Sequence, residues 1–245
     1  MIVTKENIKE ADFLKGCTLL VNKPLGYTSF QVVMNVRKWI SKYINSKIKI
    51  GHAGTLDPLA TGLLILCTGK DTKIINSYQA QMKFYSGSIF LGATRPSQDK
   101  ETEVDQTFDI SNIILDEIES VRKSFIGMQS MVPPIHSAIK VNGVRAYKMA
   151  RKGEEVELKP KEIEIHEFEI CAIDLPLIYF KISCSKGTYI RSVAHEFGLR
   201  LNSGAYLNTL QRDQIGDYKL SSAWQMVEFQ EILSEMSTFP ISNRY

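Results

Sequence analysis

The sequence predicts an α+β fold with a largely antiparallel sheet. Three observations predict it. Apolar runs of strand length and segments of helical periodicity are mixed without the regular strand–helix–strand alternation of a parallel sheet. Hydrophobic residues make up 44% of 245 residues, enough to bury a real core in one large domain or in one domain with an appended lobe. Neither an internal repeat nor a low-complexity segment interrupts the pattern.

The elements follow in order. Residues 17–22, CTLLVN, read as a short strand, and Lys23-Pro24-Leu25-Gly26 turns the chain. Ser29 is the expected N-cap of a helix from Phe30 to about Tyr43, with Phe30, Val33, Val36 and Ile40 toward the core. A short strand at 47–50 leads into a glycine-bearing loop at 51–62. Leu63 to Thr68 is nearly continuous in apolar residues and reads as a buried strand; a helix is expected over 70–79. Phe84 to Leu91 is the next strand, and the acidic, Pro/Ser-containing segment 95–109 reads as a surface loop. Ser111 is the expected cap of a helix to Phe125 that buries Ile114, Ile118, Val121 and Phe125, with Gly127 as its stop. Pro133-Pro134 forces an extended break. Strands at 162–171 and 177–184 follow, then SKGTYIR and a helix to about Arg200. A strand or loop unit over 205–220 and a helix over about 222–234 complete the chain.

Composition excludes several classes. Charged residues are 23% and the net charge is +3, so a nucleic-acid partner must be argued from local clusters. Cys17, Cys67, Cys171 and Cys184 are scattered without a C-x-x-C pair and read as buried thiols of a reducing compartment. The opening MIVTKENIKEADF interleaves charges and has no apolar h-region. No apolar run approaches the ~20 residues that span a bilayer, so the expectation is a soluble, cytoplasmic protein. His52, His136, His166 and His195 show no H-E-x-x-H spacing, and no cysteine stands at ligand spacing from them, so no metal site is expected. Thr68-Gly69-Lys70 resembles the end of a phosphate-binding P-loop, but Leu64 stands where that motif needs glycine and Asp71 where it needs Ser or Thr. Neither G-x-G-x-x-G nor G-x-S-x-G occurs.

The segment GHAGTLDPLATGLL, Gly51 to Leu64, is the candidate functional loop. Gly51, Gly54 and Gly62 punctuate it, and Pro58 biases Asp57 toward an extended conformation. A carboxylate among apolar neighbours must be solvated, paired or functional, because unpaired burial is costly. On these residues alone two readings stand. Asp57 accepts turn hydrogen bonds ahead of a proline, or it is a reactive carboxylate. His52 is likewise either a satisfied loop histidine or a functional one.

The segment GHAGTLDPLATGLLILCTGKDTK resembles the signature of the bacterial TruB family, the tRNA pseudouridine-55 synthases. Other segments resemble that family in the same order. They are VNKPLGYTS from Val21, Phe84-Tyr85 followed by Leu91-Gly92, PPIHSAIKVNGVRAYKMAR from Pro133, CSKGTYIRSVAHEFG from Cys184, and Gly204-Ala205 through Leu210-Gln211-Arg212. Together they cover roughly residues 17–220. The resemblance implies a pseudouridine-synthase fold: a mixed, largely antiparallel central sheet flanked by helices, with a basic RNA-gripping insertion at about 131–161. It also implies a single catalytic domain over 1–245. The ~25 residues after the last matching block are too few for the C-terminal PUA domain that many members carry, which needs ~60 or more.

The implied reaction breaks the bond between uracil N1 and ribose C1′, turns the base and joins C5 to C1′. It involves no net redox change or hydrolysis, so neither cofactor nor metal is implied. A carboxylate suits an anomeric centre: it attacks C1′ or takes the C2′ proton, and the sequence leaves both routes open. By motif match Asp57 is the catalytic aspartate, Arg191 its charge-assisted partner, and Tyr85 the tyrosine that stacks on the target uracil. Tyr189 and Leu210 match residues lining the uracil pocket. His52 matches the residue near the stack vacated by the flipped base. Lys23 and Lys73 match basic positions that are structural or contact phosphate. The acidic stretch from Asp99 to Glu119 reads as a solvated surface, and Asp99 matches a family carboxylate near the active-site rim.

From Lys140 to Lys152 the chain carries Lys140, Arg145, Lys148, Arg151 and Lys152 and no acidic residue, with Tyr147 among them. That cluster suits an RNA backbone. The implied partner is the T-arm of tRNA, with no membrane, no obligatory protein partner and a monomeric state. Two alternatives share the RNA-facing residues: an RNA-binding protein that remodels tRNA folding with incidental catalysis, and a synthase for another RNA. The segment TRPSQDKETEVD departs from the family's commoner wording.

Overall fold

A computed structural model describes residues 1–137, 140, 141, 143–145, 149 and 158–238. The chain forms two compact units, Met1–Lys83 with Gln211–Tyr245, and Phe84–Leu210.

The first unit is built on β4, Ala60–Thr68, whose apolar run is buried on both faces. Leu64 and Leu66 face one cluster with Leu19, Val21, Val33, Val36, Trp224 and Phe229, whereas Leu63, Ile65 and Cys67 face another with Leu20, Tyr78 and Ile215. This is the period of two expected of a strand with no solvated side. β2, Thr18–Lys23, pairs antiparallel with β4 from Thr18↔Cys67 to Lys23↔Gly62. The two-residue β1, Ile2–Val3, adds to β2 in parallel. β3, Ile50–His52, pairs antiparallel with the far end of β4. Helix α1, Ser29–Tyr43, and the last helix, Met226–Thr238, cover the first of these faces.

The sequence misplaced some details here. Thr28, not Ser29, caps α1: its hydroxyl accepts from Gln31 N while Gln31 Oε1 accepts from Thr28 N. The buried stripe is Ser29, Val32, Val33, Val36 and Ile40, so Phe30 falls outside it and is 63% exposed. The segment after β4 is a 3-10 turn, Gly69–Ile74, running into a short helix α2, Ile75–Ala80.

In the second unit β5, Lys83–Leu91, begins at the unit boundary and lies between β13, Ala205–Ile215, and β12, Leu177–Cys184. β11, Lys161–Asp174, pairs antiparallel with β12 and on its other edge with β8, Gly127–Met131. Short strands β6, Ala93–Thr94, and β7, Gln106–Thr107, pair within the surface segment. β9, Lys140–Val141, and β10, Val144–Arg145, form a small antiparallel hairpin. The core holds stacked and edge-on rings of Phe125, Phe168, Phe180 and Phe197. α3, Leu115–Ser124, and α4, Ile190–Arg200, contribute to it. β13 crosses into the first unit at Gln211 and ends in a hairpin with β14, Tyr218–Lys219. The last helix is α5.

Three expectations are corrected in this unit. The Ser111 hydroxyl is bound to the Asp109 carboxylate, so it does not cap α3; Glu117 instead accepts from the amide of Ile114, which is 57% exposed. Asp99 is buried rather than part of a solvated acidic face. Cys171 is exposed on β11, unlike the other three cysteines. Among the described residues no helix is long and apolar enough to cross a membrane.

Candidate active site

Asp57 sits half-buried in the connection between β3 and β4. That connection is held by its own backbone. Arg212 Nη2 donates to Gly54 O at 3.2 Å and Nη1 to Thr55 O at 3.4 Å. Ser29 Oγ donates to Leu56 O at 3.0 Å and accepts from Leu56 N at 2.8 Å. Ala60 N donates to Asp57 O at 3.1 Å, and Gly26 N to Pro58 O at 2.9 Å. Carbonyls 54 through 58 are therefore all bound in succession, which fixes the peptide planes on both sides of Asp57.

Two glycines make this possible. Gly62 has φ +105°, and a Cβ there would lie 2.4 Å from the carbonyl oxygen of Arg212, so β13 approaches only a residue without a side chain. Gly54 has φ +108°, where the chain turns under the guanidinium of Arg212.

Two buried cations flank the loop. Lys23, at the end of β2, is 0% exposed. Its ammonium donates to Tyr27 O at 2.6 Å, Pro24 O at 3.0 Å and Pro58 O at 3.4 Å. Burial lowers its pKa to about 8, partly opposed by the charge of Asp57 and reinforced by that of Arg212. Lys23 was expected to be structural or to meet RNA phosphate; here its ammonium donates to three backbone carbonyls of the turn after β2 and the Asp57 loop. Arg212 is 2% exposed and also donates through Nε to Leu63 O at 2.8 Å. His52 closes β3, and burial holds its imidazole below the ordinary histidine range, with Arg212 acting the same way and a Gly54 backbone bond opposing. The ring is therefore neutral at pH 7.

In the second unit Arg191 occupies the second position of α4 and is 3% exposed. Its Nη1 donates to Ser97 O at 3.2 Å and Nη2 to His136 O at 3.0 Å. The loop it grips is closed by Ser97 Oγ donating to Asp99 O at 3.0 Å and by Asp99 Oδ1 accepting from Glu101 N at 2.9 Å. Tyr85 lies buried on β5. Tyr189 and Ser192 line a small cavity with Met131, Pro133 and Ile163.

The model of the TruB family pseudouridylate synthases, N-terminal domain, matches residues 41–190. The tRNA pseudouridine synthase B of Flavobacterium johnsoniae is 50% identical over 224 residues, covering 91% of this chain and 98% of that protein. This chain belongs to the TruB family. The Bacteroides fragilis tRNA pseudouridine synthase B is 47% identical over 225 residues, 91% of this chain and 97% of that one. Among solved structures, a chain in the crystal structure of a Cbf5-Nop10-Gar1 complex superposes with a TM-score of 0.68 at 26% identity. That match covers 91% of this chain and 55% of the solved one, so the TruB-family chain spans about half its length. The fold is that of the pseudouridine synthases, α+β with a mixed sheet, as the sequence predicted.

In this TruB-family chain Asp57 lies on the β3–β4 connection, His52 closes β3 before it, and Lys23 reaches it from the end of β2 through Pro58 O, with Lys73 exposed on the 3-10 turn after β4. Tyr85, Tyr189, Arg191 and Leu210 belong to the second unit. Lys140 and Arg145 are partners across the β9–β10 hairpin. Lys148, Arg151 and Lys152 lie outside the described residues. Sequence reasoning gave no role to Ser29 beyond a cap, and none to Arg212. A cation in the middle of a β-strand, as in Leu210-Gln211-Arg212-Asp213, was the available signal for Arg212.

Proposed function

We propose that this protein isomerises a uridine of tRNA to pseudouridine, with uridine 55 of the T-loop as target, and that Asp57 is the carboxylate acting at the ribose. The observation that carries the reading is the setting of Asp57: a carboxylate on a loop whose carbonyls 54–58 are all bound, in a chain 50% identical to a tRNA pseudouridine synthase B over 91% of its length.

The chemistry needs an ionised carboxylate at a fixed position. The charge of buried Lys23 interacts favourably with Asp57 and so favours its anion. The N1–C1′ bond breaks with its electron pair leaving on N1, while Asp57 either bonds to C1′ or removes the C2′ proton. The freed uracil turns and C5 bonds to C1′, displacing the Asp57 carboxylate from C1′ in the first route or with Asp57 returning the proton to C2′ in the second; C5 then gives up its proton and N1 gains one. Tyr85 stacks on the uracil, Tyr189 and Leu210 line its pocket, and Arg191 is the charge partner of Asp57. The flat, neutral His52 takes the place of the flipped base in the RNA stack. Lys73 and the basic residues from Lys140 to Lys152 hold the phosphate backbone of the T-arm. The protein acts as a cytoplasmic monomer, as a single catalytic domain with its RNA-gripping insertion, and needs neither a membrane nor a protein partner.

The test is to incubate the protein with an unmodified tRNA transcript and map pseudouridine by chemical probing. Product at position 55 is expected, abolished by Asp57→Ala with tRNA binding kept. A transcript left unmodified in the T-loop sinks the target, and product from Asp57→Ala sinks the residue.

A further inference from the structure

Two of the donors that bind the Asp57 loop are buried side chains with no part in the chemistry above. We propose that Arg212 and Ser29 are positioning residues for the reaction. They act through the loop backbone to aim the Asp57 carboxylate. The inference rests on the reading of Asp57 as the reactive carboxylate.

Arg212 joins the two ends of the loop. Its Nε holds Leu63 O in β4, after the loop, and its two terminal nitrogens reach Gly54 O and Thr55 O, before Asp57. The planar fork serves three acceptors at once, which a single ammonium at the same place does not. The fold keeps this guanidinium at 2% exposure although its charge opposes protonation of both Lys23 and His52. Burying a second cation beside Lys23 is costly, and apolar packing would hold a loop that needed only stability.

Ser29 completes the clamp. One hydroxyl, 2% exposed, both accepts from Leu56 N and donates to Leu56 O, binding the amide and the carbonyl of the residue just before Asp57. With the flanking carbonyls also bound, the backbone is fixed on both sides of Asp57. A reacting group displaced by ~1 Å loses on the order of 100-fold in rate, so a backbone fixed at this density acts on kcat.

The experiment compares Ser29→Ala, which removes one oxygen, and Arg212→Lys, which keeps the charge and loses the fork, with wild type and Asp57→Ala. Three quantities are read: single-turnover pseudouridine formation on an unmodified tRNA transcript, Kd for that tRNA, and hydrogen exchange of the amides of residues 53–60. Ser29→Ala is expected to slow the chemical step by about 10- to 100-fold with Kd within about twofold. Leu56 and Ala60 should exchange faster while the β4 amides keep their protection. Arg212→Lys should show the same split with a larger loss. Faster loop exchange at an undiminished rate overturns the inference, as does a parallel loss of rate and affinity. If Arg212→Lys does not fold, Ser29→Ala decides alone. Asp57→Ala separates the two levels. Should it abolish product while Ser29→Ala is fully active, only the clamp fails; should it retain product, the reading of the site falls and the inference with it.

Discussion

Arg191 and Asp99 form a buried ion pair: Arg191 Nε lies 3.6 Å from Asp99 Oδ2, with the side chains 3% and 7% exposed. The separation is that of a charge pair rather than a hydrogen bond, and Asp99 is fixed independently through its bond with Glu101 N. Asp99→Asn keeps the shape and the acceptor toward Glu101 but removes the charge. Removing one buried anion from beside this guanidinium costs about 3 kcal/mol, which in a chain of this size lowers Tm by roughly 10 °C. Thermal melts of the two proteins should show that gap, and activity should fall with it. An unchanged Tm would mean that Arg191 does not depend on Asp99.

Lys23 gives the enzyme an alkaline limit. Its ammonium loses its proton at about 8 in the folded protein, against 10.5 for an unhindered lysine. Deprotonation removes the positive charge facing Asp57 and leaves Arg212 as the other charge acting on Lys23, so single-turnover rates should decline above pH about 8. Stability moves the other way. Below about 8 the group is protonated in both folded and unfolded chains and contributes no slope. Between about 8 and 10.5 the unfolded chain holds a proton that the folded one has released, so the contribution of Lys23 rises with pH, by about 3 kcal/mol across the window. Urea denaturation at several pH values, with Lys23→Met as reference, measures the difference. A difference that stays flat or falls through this window contradicts it.

Gly62 and Gly127 separate crowding from backbone strain. Both have positive φ, +105° and +92°, but a Cβ on Gly62 meets the Arg212 backbone at 2.4 Å whereas one on Gly127 meets nothing within 4 Å. Gly127→Ala should cost only the left-handed conformation, about 1–2 kcal/mol. Gly62→Ala must also push β13 off β4 and should cost several kcal/mol and the activity with it. Equal denaturation midpoints for the two variants would show that β13 yields easily at this point.

What the sequence disclosed and what it hid follow one physical rule. Local patterns were legible. The apolar run of β4, the glycines and Pro58 around Asp57, and the turn before α4 each have their cause within a few residues. Phe30 was misread because a single helical stripe starting one residue away fits the same spacing, and tertiary burial chose Val32 and Val33. Ser111 was misread because a nearer acceptor, Asp109, took its hydroxyl. Arg212 stands 149 residues from Leu63 along the chain, and Ser29 27 residues from Leu56. No periodicity links such positions, so the motif located the carboxylate but not the residues that hold its loop. The burial of Asp99 was hidden for the same reason, among neighbours that are all acidic or polar.

The basic segment is the part of the proposed interface with the clearest salt signature. Lys140, Arg145, Lys148, Arg151 and Lys152 include no compensating acid between them, and Lys140 and Arg145 pair across the β9–β10 hairpin. If these side chains neutralise tRNA phosphates, each contact releases counterions, and the slope of log Kd against log salt falls by about 1 for each one removed. The double variant Lys148→Gln, Arg151→Gln should therefore bind tRNA more weakly at low salt and converge on wild type as salt rises, with a slope smaller by about 2. Phosphate contacts carry no base identity, so the loss should be equal for transcripts that differ in T-loop sequence. Single-turnover rates at saturating tRNA should be unchanged if the role of these residues is confined to the phosphate backbone. A slope equal to wild type would assign the cluster to solvent and move the phosphate contacts elsewhere on the protein.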